Sequence, residues 1–290
     1  GLNPLCIGKR DNTYIIASES CAITSLGAEI VRDVEPGEIV TINKDGVISS
    51  SFINLKPVHA HCIFEYIYFA RPDSVVNGCS VHNSRIRAGA FLALEHPVQA
   101  DIVIGVPDSG LDAALGFSRQ SGIPYGVGFI KNKYIGRTFI APTQELRENS
   151  VRIKLNPIKS VVDGKRVVLI DDSIVRGTTS AKIVKMLRNA GAKEIHMRVS
   201  SPAFLNPCYY GTDIDSRDNL IACNHSIEEI EKIIGVDSLG YLSLDSVTKL
   251  TDNGCHKGFC TACFSGVYPT EVPGDTRKNR FERKLSERND

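Results

Sequence analysis

The chain has 290 residues, 42% of them hydrophobic, which is enough for one large or two ordinary domains with a substantial core. A formal net charge of +1 gives no electrostatic reason to expect nucleic acid as the main partner, and no apolar run approaches the roughly 20 residues of a membrane helix. The opening GLNPLCIGKR has no charged leader followed by an apolar segment, so the expectation is a soluble, cytoplasmic protein without a membrane partner.

The first 55 or so residues read as short strands, TYIIASES, EIVRDV and GEIVTINKDGVISS, with turn signals at Pro36-Gly37 and Asp45-Gly46. From about residue 80 the pattern becomes helix and strand in alternation. RIRAGAFLALEH is helical, DIVIGVP is a strand, LDAALGFSRQSG is a helix stopped by Gly122, and YGVGFI is a strand. Continuous apolar strands between amphipathic helices imply a parallel sheet covered on both faces. Residues 131–160 are polar and helical only in parts, a length that suits a functional loop or flap.

VVLIDDSIVRGTTS, residues 167–180, supplies another strand and the start of a helix that runs through TTSAKIVKMLRNAGAKE with Gly191 as its stop. EIHMRVS is read as a strand whose Ile195, Met197 and Val199 alternate with polar neighbours; an acidic amphipathic helix follows near SIEEIEKIIG and a shorter one in SVTKL. The charged tail GDTRKNRFERKLSERND reads as solvated or as a frayed helix.

Asp171 and Asp172 end the buried strand of this stretch side by side. The carboxyl ends of parallel strands open onto the crevice where ligands of α/β sheets bind. The loop from Ser173 to Ser180 opens a helix, so its backbone amides and the helix dipole favour an anion, above all a phosphate. Gly177 allows close backbone approach, and Thr178, Thr179 and Ser180 add hydroxyls. Two carboxylates beside such a nest call for ribose hydroxyls, a divalent metal such as magnesium, or both.

These residues resemble the phosphoribosyl-pyrophosphate motif of the type I phosphoribosyltransferases, and DDSIVRGTT is similar to the form found in the amidophosphoribosyltransferases. FEYIYFARPDS, VPDSG, KNKYIGRTFI and CTACFSGVYPTE fit the same family, in the same order along nearly the whole chain. The resemblance implies a pentosyltransferase that opens de novo purine synthesis, converting phosphoribosyl pyrophosphate and ammonia released from glutamine into 5-phosphoribosylamine. It implies an α/β, type I phosphoribosyltransferase fold over residues 61–270, preceded at 1–60 by a remnant of an N-terminal-nucleophile glutaminase α+β domain and followed at 271–290 by the charged tail. The family's N-terminal nucleophilic cysteine has no counterpart at Gly1, so the expectation is a fragment of a longer protein or a chain whose glutaminase half is lost, supporting transfer from free ammonia at most, with an inactive fragment as the alternative. Purine nucleotides as inhibitors and a homo-oligomer, tetramer or dimer, are further implications.

Residue by residue, the resemblance has Asp171 and Asp172 holding ribose hydroxyls and magnesium. Ser173, Ile174, Val175, Arg176, Gly177, Thr178, Thr179 and Ser180 form the loop that cradles the 5-phosphate. Asp108, Ser109 and Gly110 face the pyrophosphate, with Ser109 near the metal. Lys131 and Arg137, in the segment corresponding to the flap, neutralise the leaving pyrophosphate.

Nine cysteines are many for the cytoplasm, and an odd number cannot all pair within the chain. Cys6, Cys21, Cys79 and Cys223 suit small buried positions. The CxxC at Cys260 and Cys263 is half of a metal site. By resemblance, Cys62 and Cys208 complete the ligands of a 4Fe-4S cluster; zinc is the alternative for four thiolates, and Cys255 could substitute as a ligand. A regulatory protein that binds phosphoribosyl pyrophosphate without catalysis would be expected to carry a basic recognition domain, and a salvage transferase would need no cluster cysteines.

Overall fold

The structure is a computed structural model that describes residues 2–43, 48–52, 58–132, 155–212, 214, 216–251 and 258–272. The N-terminal part holds β1 (Cys6–Arg10), β2 (Thr13–Ala17), α1 (Ser20–Ser25), β3 (Glu29–Asp33), β4 (Glu38–Ile42) and β5 (Ile48–Phe52). Strands β2, β1 and β3 form one antiparallel sheet, and β4 and β5 form a separate hairpin. The apolar run expected to continue as a strand through ASES stops at Ala17, because α1 turns back to place Ile23 against Cys6 and Ala28 in a small core.

Next come β6 (His61–Cys62), a π-helical turn at Glu65–Phe69, β7 (Val75–Val76), β8 (Cys79–Ser80) and α2 (Val81–Glu95). Helix α2 begins earlier than its apolar period suggests, since the Ser80 hydroxyl accepts a bond from Asn83 N and caps it. Then follow β9 (Ile102–Gly105), α3 (Gly110–Ser121), β10 (Phe129–Lys131), β11 (Leu155–Pro157), α4 (Lys159–Val162), β12 (Arg166–Asp171), α5 (Thr178–Asn189) and β13 (Glu194–Val199). The last elements are α6 (Ile221–Asn224), α7 (Ile227–Ile234), β14 (Ser238–Tyr241), α8 (Leu244–Val247), β15 (Phe259–Cys260) and α9 (Ala262–Ser265). Among the described residues no helix is long and apolar enough to cross a membrane.

The central sheet is parallel throughout, in the order β14, β13, β12, β9, and Tyr125 adds a parallel bridge to Val103 on the far edge of β9. Chain order therefore reverses between β9 and β12, which makes the carboxyl end of that pair the switch point where a crevice opens. The sheet is covered on both sides. Val103, Val168 and Ile170 pack with Ala88, Leu92 and Phe117 of α2 and α3, whereas Ile102, Ile104, Val167 and Leu169 pack with Ile183, Val184 and Leu187 of α5.

Three sequence expectations change. YGVGFI is a strand only from Phe129, with Tyr125 as an isolated bridge; Gly126 and Gly128 lie so close over Ile102 and Ile104 that a Cβ would come within 2.5 Å of each side chain. Strand β13 is buried on both faces, because His196 and Arg198, polar by type, find partners inside: His196 Nδ1 meets Ser238 Oγ at 2.9 Å, and Arg198 donates to His96 O and Ser238 Oγ. Only Ser246 and Val247 of SVTKL are helical. Helix α7 matches its reading, with a reciprocal capping box between Ser226 and Glu229 and Gly235 in the left-handed region at its end.

Candidate active site

Both loops at the switch point leave adjacent strands at their carboxyl ends. Val106 N donates to Ile170 O at 2.8 Å and Ser200 N to Asp171 O at 2.9 Å, so the neighbouring strands continue pairing to the edge of the Asp171-Asp172 step. Gly110 is required here: a Cβ on it would stand 2.6 Å from Ile170 O, and the start of α3 could not approach β12.

Asp171 and Asp172 are both buried, with 7% of their surface exposed. Asp171 Oδ1 accepts the Asp172 amide at 2.9 Å. Asp172 accepts the Ser109 hydroxyl at 2.5 Å and the Ser173 hydroxyl as well. Burial raises both carboxyl pKa values, and Asp171 is pushed well above the usual range because Asp172 adds like charge. For Asp172 the two hydroxyls and the positive charge of Arg85 oppose the rise. Hard oxygen donors on two adjacent buried carboxylates fit a magnesium ion or ribose hydroxyls, either of which would relieve the repulsion.

The loop after Asp172 has its polar and apolar side chains divided. Ile174 is buried with Met197 and Val199, Val175 packs towards the α2 and α3 core, and the Ser180 side chain is 3% exposed; these three can offer a ligand only their backbone. Arg176, Thr178 and Thr179 are exposed. Gly177 precedes α5 with φ of 77°, and a Cβ there would meet Ile221 at 2.6 Å, so the turn that presents the first amides of α5 depends on glycine twice over.

On the other side of the crevice the turn Asp108-Ser109-Gly110 opens α3, and Lys131, at the end of β10, forms an ion pair with Asp108. The structure thus brings Asp108, Ser109, Lys131, Asp171 and Asp172 to one end of the sheet. Strands β10 and β11 pair antiparallel at the base of the segment expected to be a flap. Arg137, within that segment, lies outside the described residues, as do Cys255 and His256.

Sequence reading missed Arg85. It is 3% exposed in α2 and donates to Tyr66 O at 2.9 Å and Ala70 O at 2.7 Å, tying the carbonyls of the π-helical turn to the helix beside the site. An arginine on a mostly apolar helix face carries no local sign of such a role.

The four cysteines expected as cluster ligands are neighbours. Cys62 and Cys260 are register partners across the parallel β6·β15 pair. Cys263 follows in α9, and its carbonyl oxygen accepts from Leu205 N and Asn206 N at 3.0 Å, which draws in the segment bearing Cys208. Burial pushes the Cys62 thiol up to about 12 and the Cys260 and Cys263 thiols upward too; for Cys263 the charges of Cys62, Cys208 and Cys260 add to the rise. Among the described residues no three His, Cys, Asp or Glu side chains are gathered tightly enough to hold a single metal ion. The all-sulfur donor set, spread over three segments, suits a larger iron-sulfur cluster better than one zinc ion. Cys6 and Cys21 are buried, in keeping with their expected packing role, and Cys223 is half-buried with its thiol on Leu205 O. Cys79 departs from that expectation: it is buried but disulfide-bonded.

Residues 84–239 match the family described as the phosphoribosyl transferase domain. A relative named amidophosphoribosyltransferase from Archaeoglobus fulgidus is 54% identical over 276 residues, covering 95% of this chain and 60% of its own length. One of the same name from Bacillus subtilis is 50% identical over 281 residues, 95% of this chain and 58% of that protein. The solved structure of glutamine phosphoribosylpyrophosphate amidotransferase from B. subtilis, complexed with ADP and GMP, superimposes with a TM-score of 0.85 at 50% identity over 95% of this chain and 61% of that one. The chain therefore spans about three fifths of the length of the curated relatives it matches.

Proposed function

Because the chain belongs to the phosphoribosyl transferase domain family, we propose that it carries the transferase half of an amidophosphoribosyltransferase and forms 5-phosphoribosylamine from phosphoribosyl pyrophosphate and ammonia, at the first step of purine synthesis in the cytoplasm. The observation that carries this reading is the buried Asp171-Asp172 pair, bonded to Ser109 at the switch point and followed by the glycine-started helix α5, in a chain half identical to proteins of that name.

In this reading the carboxylates of Asp171 and Asp172 orient the ribose through its hydroxyls, and the amides from Ser173 to Ser180 hold the 5-phosphate at the dipole of α5. Ser109 and the turn around it face the pyrophosphate. Magnesium, held by Asp171, Asp172 and Ser109, would supply positive charge to the leaving pyrophosphate. Lys131 adds a second cation on that side once it exchanges Asp108 for phosphate oxygen, and Arg137 has the same role. Charge developing between the anomeric carbon and pyrophosphate would then be matched by these groups at the switch point.

Cys62, Cys208, Cys260 and Cys263 would hold a 4Fe-4S cluster, which ties the segment before α2, the segment after β13 and the C-terminal part of the chain. Purine nucleotides are proposed inhibitors, supported by the relative whose structure holds ADP and GMP, and the chain is proposed to work as a dimer or tetramer.

The test is pyrophosphate release from phosphoribosyl pyrophosphate and magnesium on anaerobically purified protein, with ammonium and with glutamine in parallel. Release with ammonium is expected. Its absence in folded protein, at saturating substrate, would overturn the catalytic reading; binding without release would favour a regulatory role.

A further inference from the structure

We propose that Ser201 is a positioning residue for the ribose side of the site, acting on the Asp171 carboxylate; the inference rests on the phosphoribosyl reading and adds a residue to it. Val199 is the register partner of Asp171 across β12·β13, and Ser200 N donates to Asp171 O at 2.9 Å. The chain bends at Ser200 and Ser201, so Ser201 stands directly past the residue that closes the ladder onto Asp171. It is 0% exposed, and its Oγ has no hydrogen-bond partner among the described residues. A buried hydroxyl left unpaired is costly, and native chains keep few of them.

The two carboxylates are served unequally. Asp172 has hydroxyl donors from Ser109, on the loop after β9, and from Ser173. The Asp171 carboxylate accepts the backbone amide of Asp172 and otherwise meets the Asp172 carboxyl, without a hydroxyl donor among the described residues. Strands β13 and β9 flank β12 on opposite sides, so the loops that bear Ser201 and Ser109 leave the sheet on either side of the Asp171-Asp172 step, and the Ser201 hydroxyl is uncommitted among the described residues. A serine hydroxyl turns about χ1 between staggered positions, and one bridging water extends its reach. When ribose hydroxyls engage Asp171, the Ser201 hydroxyl donates to the free carboxylate oxygen, directly or through such a water, and holds the side chain in its binding orientation.

The experiment uses the full chain with Ser201→Ala and Ser201→Cys, the second of the same shape as serine but larger and a weak donor. Calorimetric titrations with phosphoribosyl pyrophosphate, ribose 5-phosphate and pyrophosphate are compared with thermal melts. Expected for Ser201→Ala is about tenfold weaker binding of the two ribose ligands, with pyrophosphate changed by no more than about twofold and no fall in Tm. Ser201→Cys should lie between Ala and the unaltered chain. Equal binding by Ser201→Ala and the unaltered chain, or a parallel loss for all three ligands with a lower Tm, overturns the proposal and leaves only a packing role. An unaltered chain that binds none of the three overturns the parent reading and this one together, a result distinct from normal binding that the substitution leaves unchanged.

Discussion

Asp171 is held in a state that favours binding over stability. Burial and the Asp172 charge raise its folded pKa, so its contribution to stability is fully present below the unfolded value of about 4 and is lost as pH rises through the folded value. Asparagine at this position escapes that loss. Without magnesium, Asp171→Asn is expected to raise Tm at pH 7 and to leave it unchanged at pH 4, while pyrophosphate release falls by about a hundredfold or more. A lower Tm at pH 7 would show that the carboxylate is stabilised by groups not recognised here. The placement of Asp171 and Asp172 at the end of a buried strand was legible in the sequence, because a doublet of acids ending an apolar run is a local pattern. Ser109 and Arg85 as supports of Asp172 were not, since their contacts join residues far apart in the chain.

At the scale of elements, α2 and α3 are held together by glycines. A Cβ on Gly116 would come within 1.9 Å of Ile86 O, and one on Gly89 within 1.8 Å of Ala113 O, both fixed backbone. Gly116→Ala is therefore expected to destabilise by about 2–3 kcal/mol in urea unfolding, and to weaken phosphoribosyl pyrophosphate binding because α3 starts at the Ser109 turn. In the N-terminal part, Glu38 accepts two bonds from the Arg32 guanidinium, at 2.6 and 2.8 Å, and these hold its carboxyl at about 2. A carboxyl lowered in this way stabilises above its unfolded pKa and loses that effect as pH falls through the folded one. Glu38→Gln should lower Tm at pH 7, with the difference from the unaltered chain shrinking as pH drops below about 4. A constant difference across that range would mean that packing, and not charge, holds the pair.

Across the whole molecule, β6, the loop after β13 and the turn at α9 meet at the four cysteines, although their thiols come from three distant parts of the chain. Cys263→Ser is expected to abolish iron incorporation under anaerobic reconstitution and to lower Tm, read by iron content and by melting with no reference to activity. Full iron content in this variant would remove Cys263 from the ligand set.

The amino-acid sequence by itself determined the alternation of helix and strand, the burial of β9 and β12, the glycine turn at Gly177 and the CxxC, all set by periodicity or by adjacent residues. The tertiary structure decided the rest. It reversed strand order between β9 and β12, bonded Ser109 to Asp172, brought the charge of Arg85 to bear on that carboxyl, buried His196 and Arg198 among partners, set Cys62 against Cys260 and left the Ser201 hydroxyl buried with no partner among the described residues. Those outcomes depend on strand pairing and helix packing between distant segments, and such packing leaves no spacing in the chain from which it could be read.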